Sequence, residues 1–178
     1  MASGEAPPAR SASGRRAAGR ATARWRAAAL LVAVLCAGMG IAGLVRADDG
    51  LRRVATVIDG VPLEAVTAEA ATGRGPGVVV VHGFAGSTPL MRGFADTLAR
   101  SGYTVVLLDV AGHGRSRVPF GSVPLADDMA TALRHLRGQP TVDPARVGLL
   151  GHSMGAAAVL SEATRDPGVA ATVAISAG

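Results

Sequence analysis

The chain has 178 residues, enough for one domain of ordinary size and too few for two. Its formal charge of +5 would suggest nucleic acid if it were spread over a folded surface. It is not: residues 1–26 hold six arginines against the single acid Glu5, which leaves 12 arginines against 12 acids elsewhere and argues against duplex binding.

The first segment, residues 1–26, therefore reads as a basic tail. From residue 27 to 45 the chain runs AAALLVAVLCAGMGIAGLV without a charge. At about 1.5 Å per residue, such a helix spans most of a hydrocarbon core ~30 Å thick. Trp25 between Arg24 and Arg26 suits an interfacial anchor, and the arginine bias places the N-terminus in the cytoplasm and the rest outside. The expectation is one N-terminal transmembrane helix over 27–45. The rival reading is a secretory signal cleaved after Ala47, but the run exceeds the usual apolar stretch of roughly 7–15 residues.

Within this run, Gly38 to Gly43 match G-x-G-x-x-G. The dinucleotide fingerprint needs a strand before it and a helix after it, so small residues allowing close helix contact explain the match better. Cys36, the only cysteine, also lies here, so there is no disulfide framework and no cysteine-based metal site. No cofactor or metal is expected.

Residues 46–53 read as a linker and 54–178 as a globular part. Leu51 to Ile58 is β-branched, Asp59-Gly60 is a hairpin signal, and Val61 to Glu69 alternates. Ala70 to Gly77 reads as a loop, and Val78 to Val81 as a strand buried on both faces. Helical spacing over Leu90–Arg100 precedes a second buried strand, Tyr103–Leu108. A helix over Leu125–Leu136, a third strand over Arg146–Leu150, a helix over Met154–Arg165 and a fourth buried strand over Val169–Ser176 complete the pattern. Alternating strands and helices after a hairpin imply an α/β fold: a mostly parallel sheet with helices on both faces.

Gly151-His152-Ser153-Met154-Gly155 is G-x-S-x-G placed between a strand and a helix. In that setting it is a nucleophile elbow, a sharp turn that exposes the serine hydroxyl at the head of a helix. The competing reading has Ser153 merely capping that helix. His82-Gly83-Phe84 follows one buried strand, and Asp109 to Ser116, containing G-H-G-x-S, follows the next. His113 could serve as a base but has no carboxylate placed to orient it, so shaping of the pocket rim is the preferred role for this segment.

Taken in order, these motifs and Val142 to Val147 resemble the α/β-hydrolase superfamily, closest to its serine esterase, lipase and peptidase-like members, over residues 54–178. The resemblance implies Ser153 as nucleophile, with the backbone N–H groups of Phe84 and Met154 holding the oxyanion and His82 structural. It implies an ester-type acyl substrate, small or lipid-like, and leaves acyl transfer and peptide cleavage open. In such hydrolases an acid and a histidine follow the serine. After Ser153 come Glu162 and Asp166 but no histidine, and His152 should point away from the catalytic face. The expectation is a sheet truncated after the strand that follows the nucleophile helix, with the triad acid and histidine lost and little turnover from this chain alone. The alternative is a non-catalytic, membrane-anchored protein that keeps the scaffold.

Overall fold

The computed structural model describes residues 25–26, 29–40, 43 and 49–177, and the chain divides after Ala47 into two units. In the first unit, residues 29–40 are helical and expose Leu30, Leu31, Val32, Val34, Leu35 and Met39. The basic tail up to residue 24, and residues 27–28, 41–42 and 44–45 of the expected anchor, lie outside the described residues. Among the described residues no helix is long and apolar enough to cross a membrane. Helix, not strand, leads into Gly38, so the dinucleotide reading of that motif lacks its first requirement.

The second unit is built on a six-stranded sheet. β1 (Leu51–Ile58) and β2 (Val61–Ala68) form a hairpin whose turn residues Asp59 and Gly60 both take positive φ, 51° and 81°. A two-residue type I′ turn requires this, and Asp-Gly meets the requirement at little cost. β1 starts inside the stretch expected as a linker, because Arg53 is ion-paired to Glu64 of β2.

β3 (Gly75–Val81), β4 (Thr104–Leu108), β5 (Val142–His152) and β6 (Val169–Ile175) run parallel. They are linked through α1 (Thr88–Arg100), α2 (Leu125–Arg137) and α3 (Met154–Arg165). The strand order is β1-β2-β4-β3-β5-β6, with β2 antiparallel to both its neighbours. From β3 the chain moves one way to β4, then returns past β3 to β5 on the other side. The connections therefore diverge beyond the carboxyl ends of β3 and β5, the place where open parallel sheets form a binding crevice.

The apolar run of β3 shows why the layers form. Val79 and Val81 pack with Met129, Leu133 and Leu136 of α2 and Val159 of α3. Val78 and Val80 face Met91, Ala95 and Ala99 of α1. Successive strand residues point to opposite faces, so a strand between two helical layers is apolar throughout.

Three expectations need correction. β3 begins at Gly75 within the expected loop, because the Gly75 N–H bonds Thr141 O at 2.8 Å and pairs the strand with β5. β2 has no exposed face, since it lies between β1 and β4 and is buried from Val61 to Thr67; its Glu64 is held by Arg53 and Arg92. β6 is not buried on both faces: it is largely exposed, Val173 included, and α3 is the helix packed on it.

Candidate active site

β5 ends in the elbow. Ser153 takes φ 53° and ψ −116°, a conformation that costs a residue with a side chain about 1–3 kcal/mol. Gly151 and Gly155 explain how the strain is accommodated. A Cβ on Gly151 would overlap the carbonyl of Gly155, and one on Gly155 would lie 2.6 Å from His82 O. The Ser153 N–H bonds Ile175 O at 2.9 Å, tying the turn to β6, while Ser153 O accepts the Ala156 N–H at 2.8 Å and starts α3. The Ser153 side chain is exposed and makes no capping hydrogen bond, which removes the reading of a serine present only to cap the helix.

The turn after β3 lies directly against the elbow. A Cβ on Gly83 would stand 3.1 Å from Ser153 Cβ and 2.9 Å from His152 Nδ1. The turn closes through Gly86 N–H to Gly83 O at 2.9 Å, with Ala85 at φ 57°. Among the described residues no acceptor takes the Phe84 amide, and none takes the amide of Met154 at the first position of α3. The two groups expected as oxyanion donors thus lie on two segments that the glycines bring together.

His82 is buried and bridges neighbouring loops. Its Nδ1 donates to Gly83 O at 2.8 Å, and its Nε2 accepts the Val110 N–H at 3.3 Å, which fixes the tautomer. Burial holds its pKa below the ordinary histidine value, against the opposing pull of the Gly83 carbonyl and the Asp109 charge. The expectation that His82 is structural fits this geometry. His152, expected to point away from the catalytic face, lines a cavity of about 310 Å³ with Gly83, Phe84, Leu90, Met91 and Phe94, and Ser153 is not part of that lining.

Asp109, at the end of β4, is fully buried. It accepts the Thr88 N–H at 2.6 Å and both the N–H and Nε–H of Arg115 at 3.0 Å. Burial disfavours its charge, but these bonds outweigh burial and hold its pKa below the carboxylate range. A Cβ on Gly114, at φ 55°, would overlap the Asp109 carboxyl group. Asp109 therefore ties the start of α1 to the loop around Arg115. His113 is buried with Nδ1 on Ala111 O at 3.0 Å, and no carboxylate of the described residues hydrogen-bonds its ring.

Glu162 and Asp166 are not at the site. Glu162 is buried near the far end of α3, 3.9 Å from Arg165, with a pKa raised chiefly by burial; Asp166 pairs with Arg137 at 2.6 Å. Sequence reasoning missed Phe120, whose ring stands edge-on to Phe84 with centroids 5.7 Å apart. It also missed Asp128, a buried carboxylate on α2 that accepts the Ala111 N–H at 2.8 Å.

A sequence model described as serine aminopeptidase, S33 matches residues 76–178. An uncharacterised protein of Mycobacterium tuberculosis is 37% identical over 95 residues, covering 53% of this chain and 34% of that protein. A thiohydrolase of Arthrinium phaeospermum is 33% identical over 110 residues, covering 59% and 36%. Among solved structures, a dienelactone hydrolase-like promiscuous phosphotriesterase from metagenomic libraries superposes with a TM-score of 0.57 at 25% identity. That match covers 68% of this chain and 56% of the other. The chain spans about a third of the length of the curated relatives it matches.

Proposed function

The chain belongs to the serine aminopeptidase S33 family within the α/β-hydrolase superfamily, and from that premise we propose that it carries the nucleophile of a serine hydrolase acting on an ester-type acyl compound. One observation carries the reading. Ser153 is strained, exposed and free of any capping bond, at a helix start pressed against the turn that presents the Phe84 amide. Strain of this kind persists where the surrounding structure enforces it, and it gathers at sites of chemistry.

In the proposed reaction Ser153 Oγ bonds to the acyl carbon, the oxyanion that forms is held by the Phe84 and Met154 N–H groups, and the bond to the leaving group breaks. The Oγ proton passes through a general base to the leaving oxygen, and water then releases the acid. Fixed donors of this type typically contribute several kcal/mol to the transition state. His82 and His113 are engaged with backbone groups, His135 lies on α2, and the cavity that His152 lines does not include Ser153, so the base and its orienting acid belong, in this proposal, to residues outside 1–178.

The membrane assignment is likewise proposed. Residues 27–45 anchor the chain with the basic tail in the cytoplasm and the hydrolase part outside, and the exposed apolar side chains of residues 29–40 support it. Extraction of membranes with alkaline carbonate should leave the protein in the pellet; release into the supernatant would point to a cleaved signal or a soluble protein.

A fluorophosphonate probe applied to the protein from its own cells tests the chemistry. Labelling should be lost in Ser153→Ala, and equal labelling of both forms would reject Ser153. A stable chain with no labelling at all would favour the non-catalytic scaffold.

A further inference from the structure

The chain contains three phenylalanines, and none of them is in the core. Phe84, Phe120 and Phe94 are 68%, 56% and 44% exposed. All three surround the turn after β3: Phe84 lies in it, Phe94 lines the cavity beside it, and Phe120 stands against Phe84 from the loop after β4. The core is instead filled by valine, leucine, alanine and methionine. Large apolar rings left open in an otherwise well-sorted fold mark a contact surface when they cluster.

The Phe84–Phe120 pair is a built feature. Both rings meet the buried His113 ring edge-on, each with centroids 5.4 Å apart and interplanar angles of 76° and 77°. His113 is anchored by its Nδ1 on Ala111 O, and its ring lies 5.3 Å from His82. Gly112, at φ 77°, sends its N–H to Val118 O at 2.7 Å, and a Cβ on it would overlap Phe120. The backbone of this loop is folded so that Phe120 closes on Gly112 and is held beside Phe84, yet the residue stays exposed.

We infer that Phe84 and Phe120, backed by His113, form an aromatic wall that binds an aryl group of the substrate and so sets specificity. This rests on the serine hydrolase reading, because the Phe84 amide would hold the oxyanion while its ring receives the neighbouring group. An aryl group extends the set of perpendicular rings and gains edge-to-face attraction that a saturated ring of equal size does not, an advantage of about two- to tenfold. Phe120 is thus a specificity-determining residue.

The test compares phenylmethanesulfonyl fluoride with cyclohexylmethanesulfonyl fluoride, near-equal in volume, on the protein from its own cells. In each, the Ser153 Oγ–S bond forms, fluoride leaves and the proton goes to solvent. The aryl probe should label Ser153 about two- to tenfold faster. In Phe120→Leu that ratio should fall to about one, the saturated probe serving as the internal reference. A ratio of one in the parent, or one that survives Phe120→Leu, overturns the wall. Saturation-transfer NMR with benzamide against cyclohexanecarboxamide reads the wall without the nucleophile. Binding of benzamide that is lost in Phe120→Leu, with no probe labelling Ser153, would keep the wall and reject the hydrolase reading. No difference between the two amides would overturn the wall whatever the labelling shows.

Discussion

Two helices start at the same edge of the sheet, each with a serine at its N-cap, and the two serines are treated in opposite ways. Ser87 before α1 is extended, with φ −164°, and Ser153 before α3 is strained, with φ 53°. Neither side chain caps its helix. At α1 the carboxylate of Asp109 takes over, accepting the Thr88 N–H and placing a permanent negative charge on the positive end of the helix. At α3 no carboxylate of the described residues hydrogen-bonds the first turn. A helix start with a built-in anion is finished structure. One that keeps its N–H groups open beside a strained serine suits, in the proposed reading, charge that appears only during a reaction. α2 falls with α1, having Asp127 and Asp128 in its first turn.

The largest expected effect is at the closed end. Asp109→Ala removes a buried charge, strands three donors and leaves Arg115 without its partner, for a loss of about 3–5 kcal/mol in urea unfolding. An unchanged midpoint would show that α1 does not depend on the carboxylate and would break the contrast. At the open end the sign reverses. Ser153→Gly should raise stability by about 1 kcal/mol, the relieved strain exceeding the added freedom of the unfolded chain, while probe labelling disappears. A fall in stability would mean that the serine is not strained at all.

These two ends were not equally legible. The elbow was readable because glycines at fixed offsets around a serine, between an apolar run and a small-residue helix, have few other uses. The strands were readable for the same reason that Val78 to Val81 had to be apolar: both faces of β3 are covered. The cap on α1 was not readable, since Thr88 and Asp109 meet only once β3 and β4 pair in register. Phe120 was hidden similarly, 36 residues from Phe84 in a loop without periodicity. Exposure of β6 was illegible because an apolar strand looks the same whether one face is covered or two.

His82 joins the two ends and gives the smallest effect. Its Nδ1–H holds the turn that abuts the elbow, and its Nε2 accepts the Val110 N–H beside Asp109. Burial disfavours the protonated ring and holds the folded pKa below the unfolded value of about 6.5, and protonation would also put a proton on Nε2 and break the second bond. Between those two values the unfolded chain binds more protons, and stability rises with pH. The contribution is therefore complete above pH ~6.5 and is lost as pH falls through the folded pKa, at no more than about 1.4 kcal/mol per unit. His135, partly exposed and also lowered by burial, acts in the same direction. Asp128 and Glu162, raised chiefly by burial, act with the opposite sign from about pH 4 upward. The comparison is thus between the parent and His82→Asn across pH 7.5 to 5.5. A slope that flattens in the variant would assign the loss to the bridge. An identical slope would mean that the turn beside the elbow and the loop beside Asp109 are held together by something other than this imidazole.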